Sequence, residues 1–140
     1  MTEIVFWDTA AFVALGNKRD DLHHAAIDVS RPLALAKAHV LTTDAVLVEV
    51  ANTFSHVAWR PTAWRLFDAL QASVALQTAT VVHIDADLWQ QGWQLYRNRS
   101  DKDWGLTDCI SFVVMTAYAI QRAFTFDRHF EQAGFTRLLV

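Results

Sequence analysis

Asp8, Glu49, Asp108 and Asp127 are far apart in the chain, yet each stands where a parallel-sheet protein can do chemistry. Asp8 ends the apolar stretch E-I-V-F-W, and Asp127 ends A-F-T-F. Asp108 opens an apolar run after R-S-D-K-D-W-G-L-T, a stretch that also holds Asp101 and Asp103. Glu49 stands among Val46, Leu47, Val48 and Val50, where a carboxylate is costly to bury unless it meets a cation. The other position open to it is an exposed one, on the side of Ala45, Asn52 and His56. Gathered carboxylates repel one another, and no Lys or Arg adjoins Asp8 or Glu49. Hard divalent ions, Mg²⁺ or Mn²⁺, satisfy such a group through oxygen ligands and water. An ion held this way lowers the pKa of an attacking water and neutralises charge on a phosphate, which suits phosphodiester hydrolysis. The alternatives lack their parts. Cys109 is the single cysteine, no H-x-x-x-H pair argues for zinc, and no G-x-S-x-G or Walker loop is present.

The acids converge only if the surrounding elements bring them together. Residues 3–7, 40–43, 80–84 and 123–126 read as short strands, with R-L-L-V at the C-terminus as a fifth. Helical patterns follow at 9–15 and at 21–38, where Pro32 marks a kink or a break. Asp44 is the expected N-cap of a helix over 45–57. Pro61 suits the first turn of a helix whose residues Leu66, Phe67 and Leu70 face inward. Helices over 86–98 and 106–120 and a short one after Asp127 complete the chain. Strands alternating with helices predict an α/β fold, a central parallel sheet of about five short strands covered on both faces.

In such sheets ligands bind beyond the carboxyl ends of the strands. Asp8 and Asp127 end strands, and the helices carrying Glu49 and Asp108 must begin at the same edge. Taken singly, Asp8 and Asp127 are explained as helix caps and Asp108 as an acid favoured by a helix N-terminus. Capping does not require four acids to meet on one rim, so the constellation points to a metal site.

The whole chain is consistent with this. Its 140 residues suit one domain spanning 1–140, and 53% hydrophobic against 19% charged residues describe a well-packed globule. A formal charge of −3 argues against a broad basic surface, though Arg97, Arg99 and Lys102 cluster locally. Glu3 and Asp8 interrupt any signal-peptide core, no apolar run is long enough to span a membrane, and a lone cysteine suits a reducing compartment. A cytoplasmic protein is expected.

The motifs D-T-A at 8–10, E-V-A at 49–51, D-K-D-W-G-L-T-D-C-I-S-F at 101–112 and A-F-T-F-D-R-H-F at 123–130 resemble those of PIN-domain nucleases. They are most similar to the VapC-type toxins of bacterial toxin–antitoxin pairs, in the right order over nearly the whole chain. The resemblance implies a PIN-like three-layer sandwich and Mg²⁺- or Mn²⁺-dependent RNA cleavage. It also implies a homodimer and a cognate antitoxin. The family's acidic positions fall on Asp8, Glu49, Asp108 and Asp127, with Asp103 an accessory ligand or a helix cap. Thr9 and Thr125 match small hydroxyl positions near the acids. The chain departs from its relatives at Gly105, where they often carry Ser.

Two other readings are weighed against the metal-dependent endoribonuclease. A non-catalytic PIN-like module would bind RNA or protein, and Gly105 leans that way. A receiver-type domain has its Asp at Asp85 but no lysine after Lys102. Trp59, Trp64, Trp89 and Trp93 read as core, or as rings lining a dimer or antitoxin groove, before base-stacking platforms. The histidines, His129 included, read as solvated or packed. The Arg97–Lys102 run reads as a solvated charge cluster, with contact to an RNA backbone the second option.

Overall fold

Five short strands, β1 (Ile4–Trp7), β2 (His39–Thr43), β3 (Ala79–Val82), β4 (Arg122–Phe124) and β5 (Thr136–Arg137), pair in parallel in the order β3-β2-β1-β4-β5. The structure, a computed structural model, describes residues 2–140. The helices are α1 (Thr9–Gly16), α2 (His23–Leu35), α3 (Asp44–Thr53), α4 (Arg60–Ala75), α5 (Ala86–Asn98), α6 (Leu106–Ala117) and α7 (Arg128–Gln132), with a 3₁₀ turn at Val57–Trp59. No helix among the described residues is long and apolar enough to cross a membrane.

The order of the strands dictates the layers. From β1 through β2 to β3 the chain steps one way across the sheet, then crosses back to place β4 on the other side of β1. Right-handed crossovers therefore put the first helices on one face and α5 and α6 on the other. Side-chain alternation agrees. Val5 and Phe124 pack with Ala11, Ala14, Ala26 and Leu33 of α1 and α2. Phe6, Leu41 and Ala123 pack with Ile110, Phe112 and Met115 of α6 and Phe130 of α7. Val5 and Phe6 are both fully buried, as a strand covered on two faces requires. Each ring sealed this way, Phe6 and Phe124 among them, stabilises the fold by roughly 2–3 kcal/mol. This is the three-layer α/β sandwich expected from the sequence.

The reversal of strand order falls between β1 and β4, where Phe6 pairs with Ala123 and Trp7 with Phe124. Asp8 and Asp127 leave the sheet beside this crevice, the place such folds keep for ligands.

Several local expectations are corrected. Asp44 is not the cap of α3. Thr43 holds that position, its hydroxyl accepting from the Val46 N–H at 3.3 Å, while Asp44 instead accepts from the Ile84 N–H at 3.1 Å. The helix stops at Thr53, and a separate turn follows. Pro32 does not break α2, which runs on to Leu35 with the single intrahelical bond of the missing Pro32 N–H given up. The terminal strand starts earlier, at Thr136, although its bonding continues beyond Arg137: the Leu138 N–H donates to Ala123 O of β4 at 2.9 Å and the Leu139 N–H to Thr125 O, just past β4, at 3.0 Å. Four tryptophans expected in the core are not there: Trp59, Trp64, Trp89 and Trp93 are all well exposed. Asp85, the acid of the receiver-type reading, caps α5 through the Leu88 N–H at 2.8 Å.

Candidate active site

Asp8 follows β1, and its N–H continues the ladder by donating to Phe124 O at 3.2 Å. It occupies the N-cap position of α1, but its side chain makes no capping bond. The carboxylate is buried, and Oδ2 accepts from the Thr125 hydroxyl at 2.9 Å. Burial pushes its pKa up to about 7, with the charges of Asp108 and Glu49 adding to the rise. Bonds from the Thr9 backbone and the Thr125 hydroxyl oppose it. An acid held this way gains from any cation brought to it.

Thr125 couples the two strand ends. Besides donating to Asp8, its Oγ1 accepts from the Asp127 N–H at 3.1 Å. Asp127 is a helix cap after all: its Oδ1 accepts from the His129 N–H at 2.9 Å at the start of α7. That turn carries the His129 ring to the acids. Its Nδ1 hydrogen-bonds with Asp108 Oδ2 at 3.0 Å and lies 3.4 Å from Asp127 Oδ1, so one ring nitrogen stands beside two carboxylates. The sequence reading undervalued His129. The available signal was its place two residues after a strand-ending acid, in the first turn of a helix.

Asp108 stands in the first turn of α6, where Oδ2 also accepts from the Gly105 N–H at 3.2 Å. Partial burial raises its pKa, as does the charge of Asp127, while the bonds from His129 and Gly105 work against the rise. Glu49 is exposed, contrary to the desolvated position suggested by its apolar neighbours. Val46 and Val50 take the inward stripe of α3, leaving Glu49 on the wet side with Oε2 accepting from the Thr9 hydroxyl at 2.9 Å.

These groups share one depression of about 350 Å³, lined by Asp8, Thr9, Glu49, Asp108 and Asp127, with Phe126 at its edge. Asp20, from the loop between α1 and α2, joins them. It ends no strand and opens no recognised motif, so nothing in the sequence marked it. No Lys or Arg among the described residues lines the depression. Asp103 is exposed and faces a neighbouring depression instead, and it does not cap α6, whose N-cap is Gly105. Asp101 accepts two bonds from Arg99, at 2.9 and 3.1 Å.

The donor set fits a divalent ion. Single donor atoms of Asp108, Asp127 and His129 lie within 4.8 Å of one another. Carboxylate oxygens suit Mg²⁺ and Mn²⁺ alike, and Mn²⁺ also accepts the imidazole.

Gly105 leaves the capping arrangement half made, because Asp108 accepts from its N–H but glycine offers no oxygen in return. Its backbone (φ −72°, ψ 164°) is open to any residue, and an added Cβ would meet only Asp108 Oδ2, at 3.9 Å. Gly105→Ser is therefore expected to stabilise the fold by about 0.5–1 kcal/mol, from the completed cap and the stiffer unfolded chain. A higher urea midpoint at unchanged slope is the expected reading, and a lower one would show that the loop cannot admit the side chain.

The sequence matches the PIN-domain family over residues 5–136. The 23S rRNA-specific endonuclease VapC20 of Mycobacterium tuberculosis, found in two strains, is 31% identical over 144 aligned positions, covering 96% of this chain and 98% of the relative. The crystal structure of M. tuberculosis VapC20, described as a sarcin-ricin loop cleaving toxin, superposes with a TM-score of 0.77 at 30% identity, covering 94% of this chain and 96% of that one. VapBC2 from Rickettsia felis, bound to a DNA fragment from its promoter, superposes at 0.66 with 15% identity, covering 96% of each chain, a likeness of fold alone.

Proposed function

We propose, from the premise that this chain belongs to the PIN-domain family, that it is a metal-dependent endoribonuclease acting as the toxin of a toxin–antitoxin pair. The observation that carries the reading is a depression lined by five carboxylates, Asp8, Asp20, Glu49, Asp108 and Asp127, with no Lys or Arg of the described residues on its lining to balance them. Asp8, Glu49, Asp108 and Asp127 would hold Mg²⁺ or Mn²⁺, directly or through water. When bound, the ion lowers the pKa of the attacking water and neutralises charge on the scissile phosphate. His129 holds Asp108 through its ring and Asp127 through its backbone N–H, and Thr125 and Thr9 orient Asp8 and Glu49. Asp103 stands outside this ligand set.

The name of the M. tuberculosis relative makes ribosomal RNA the first substrate to test. A cognate antitoxin, a homodimer and a cytoplasmic location complete the reading. The test is incubation of total RNA with the purified protein, with cleavage ends mapped, in Mg²⁺ or Mn²⁺ and again in EDTA. Discrete metal-dependent ends are expected. Calorimetric binding of Mn²⁺ without any cleavage would favour the non-catalytic binding module instead.

A further inference from the structure

The carboxylate site uses none of the exposed rings on α5. Trp89, Trp93 and Tyr96 follow one another at i, i+4 and i+7, which places them on one stripe of the helix. They are 48%, 38% and 44% exposed. The rings form a ladder: Trp89 and Trp93 lie 6.4 Å apart at an interplanar angle of 5°, and Trp93 and Tyr96 lie 5.5 Å apart at 22°. The inward stripe of the helix is independent of them. Leu88 and Gly92 are buried there, and a Cβ on Gly92 would stand 2.6 Å from Ile110 Cγ1, so glycine is what lets α5 lie close against α6. The ladder is thus a surface feature on a firmly seated helix.

Its lower end is cationic. Trp93 and Tyr96 line a depression of about 800 Å³ together with Arg97, Arg99 and Lys102. Arg99 is committed to Asp101 and lies 4.9 Å from the centre of the Trp104 ring. Arg97 and Lys102 form no ion pair among the described residues, and Asp103 is the only carboxylate on this lining. Gly105 also lines the depression, and its N–H is bonded to Asp108 of the carboxylate site. Two of the three stacked rings and the unpaired cations thus line one depression, and Gly105 on its lining is bonded to an acid of the carboxylate site.

We infer that the Trp89–Trp93–Tyr96 ladder, with Arg97 and Lys102, binds single-stranded RNA and leads it to the carboxylate site. Unpaired bases stack on the rings, and phosphates lie against the two cations. Parallel rings beside free cations favour RNA over a protein partner, since stacking on a π-face needs no particular base and the cations complement a phosphate chain. The inference rests on the ribonuclease reading above.

The test is fluorescence anisotropy of a labelled single-stranded oligoribonucleotide with the full-length protein in EDTA, so that binding is read without cleavage. Trp89→Ala/Trp93→Ala/Tyr96→Ala is expected to bind roughly tenfold more weakly or worse, at the same elution volume in gel filtration. Trp93→Phe should retain most of the affinity and Trp93→Leu should not, because leucine keeps the apolar area but has no π-face. Arg97→Gln/Lys102→Gln should lower the slope of log affinity against log salt by about 1.4. A duplex of the same sequence should compete poorly.

Unchanged RNA binding by the triple variant would overturn the inference while leaving the ribonuclease reading intact. So would a change of oligomeric state in that variant, which would make the stripe a protein contact, or equal affinity with Phe and Leu at position 93, which would show that no base stacks there. Failure of the unmodified protein both to bind and, with metal, to cleave RNA would sink the ribonuclease reading itself.

Discussion

Asp8→Asn is expected to reduce metal-dependent RNA cleavage by more than about a hundredfold, the scale reached when even an outer partner of a metal ligand is lost. The same change should stabilise the metal-free protein at neutral and alkaline pH. Asp8 is buried, and its carboxyl is raised from 3.8 to about 7 in the fold. Below pH 4 it is protonated folded or unfolded and contributes nothing. Between pH 4 and 7 the unfolded state gives up the proton while the native state keeps it, so stability falls as pH rises. Above pH 7 the penalty is constant, at about 4 kcal/mol. Asparagine can still accept from the Thr125 hydroxyl without carrying a charge. In EDTA the variant should melt above the parent by about 10 °C at pH 8 and by far less at pH 5. Mn²⁺ should close or reverse the gap by stabilising the parent alone. Thermal melts in a series of buffers with and without metal would read both effects. Full cleavage by the variant, or a gap independent of pH, would remove Asp8 from the proposed centre.

Which parts of this site were legible from sequence depends on the range of the contacts involved. Short apolar runs ending in Asp announced Asp8 and Asp127, because a strand's direction and its last residue are local properties. The convergence of Asp108 followed from chain direction alone, since a helix feeding a parallel strand must start at the edge where the strands end. The cap of α3 was misread because Thr43 and Asp44 are both good caps. The choice between them is made by the Ile84 N–H, 40 residues away, which takes the Asp44 carboxylate. His129 was undervalued for a similar reason, its main partner being Asp108, 21 residues earlier. On α5, periodicity groups Leu88 with Gly92 and Trp89 with Trp93 but does not say which stripe faces inward. Larger rings suggested the second. Close approach of α6 requires the first, because only Gly92 fits against Ile110.

Asp127→Ala and Asp127→Ser are expected to lose cleavage to the same extent, by more than about a hundredfold, yet to differ in stability by about 1 kcal/mol. The carboxylate has two separable jobs. Oδ1 caps α7 by accepting from the His129 N–H, whereas Oδ2 has no hydrogen-bond partner among the described residues and is the oxygen free to meet a cation. Serine can replace the cap but offers a neutral hydroxyl, already used, where the proposed site needs a charge. Alanine supplies neither. The cap matters because α7 is five residues long and seats Phe130, fully buried, against Phe6 and Phe112, at ring separations of 6.3 and 5.0 Å. Loosening its first turn also frees the ring of His129 from Asp108. Urea unfolding and Mn²⁺ calorimetry on the two variants would separate the roles. Near-parental cleavage in Asp127→Ser would reduce Asp127 to a helix cap and leave Asp8, Glu49 and Asp108 to hold the ion. Loss of Mn²⁺ binding in both, with only the alanine variant destabilised, would establish that one carboxylate closes the helix and holds the metal.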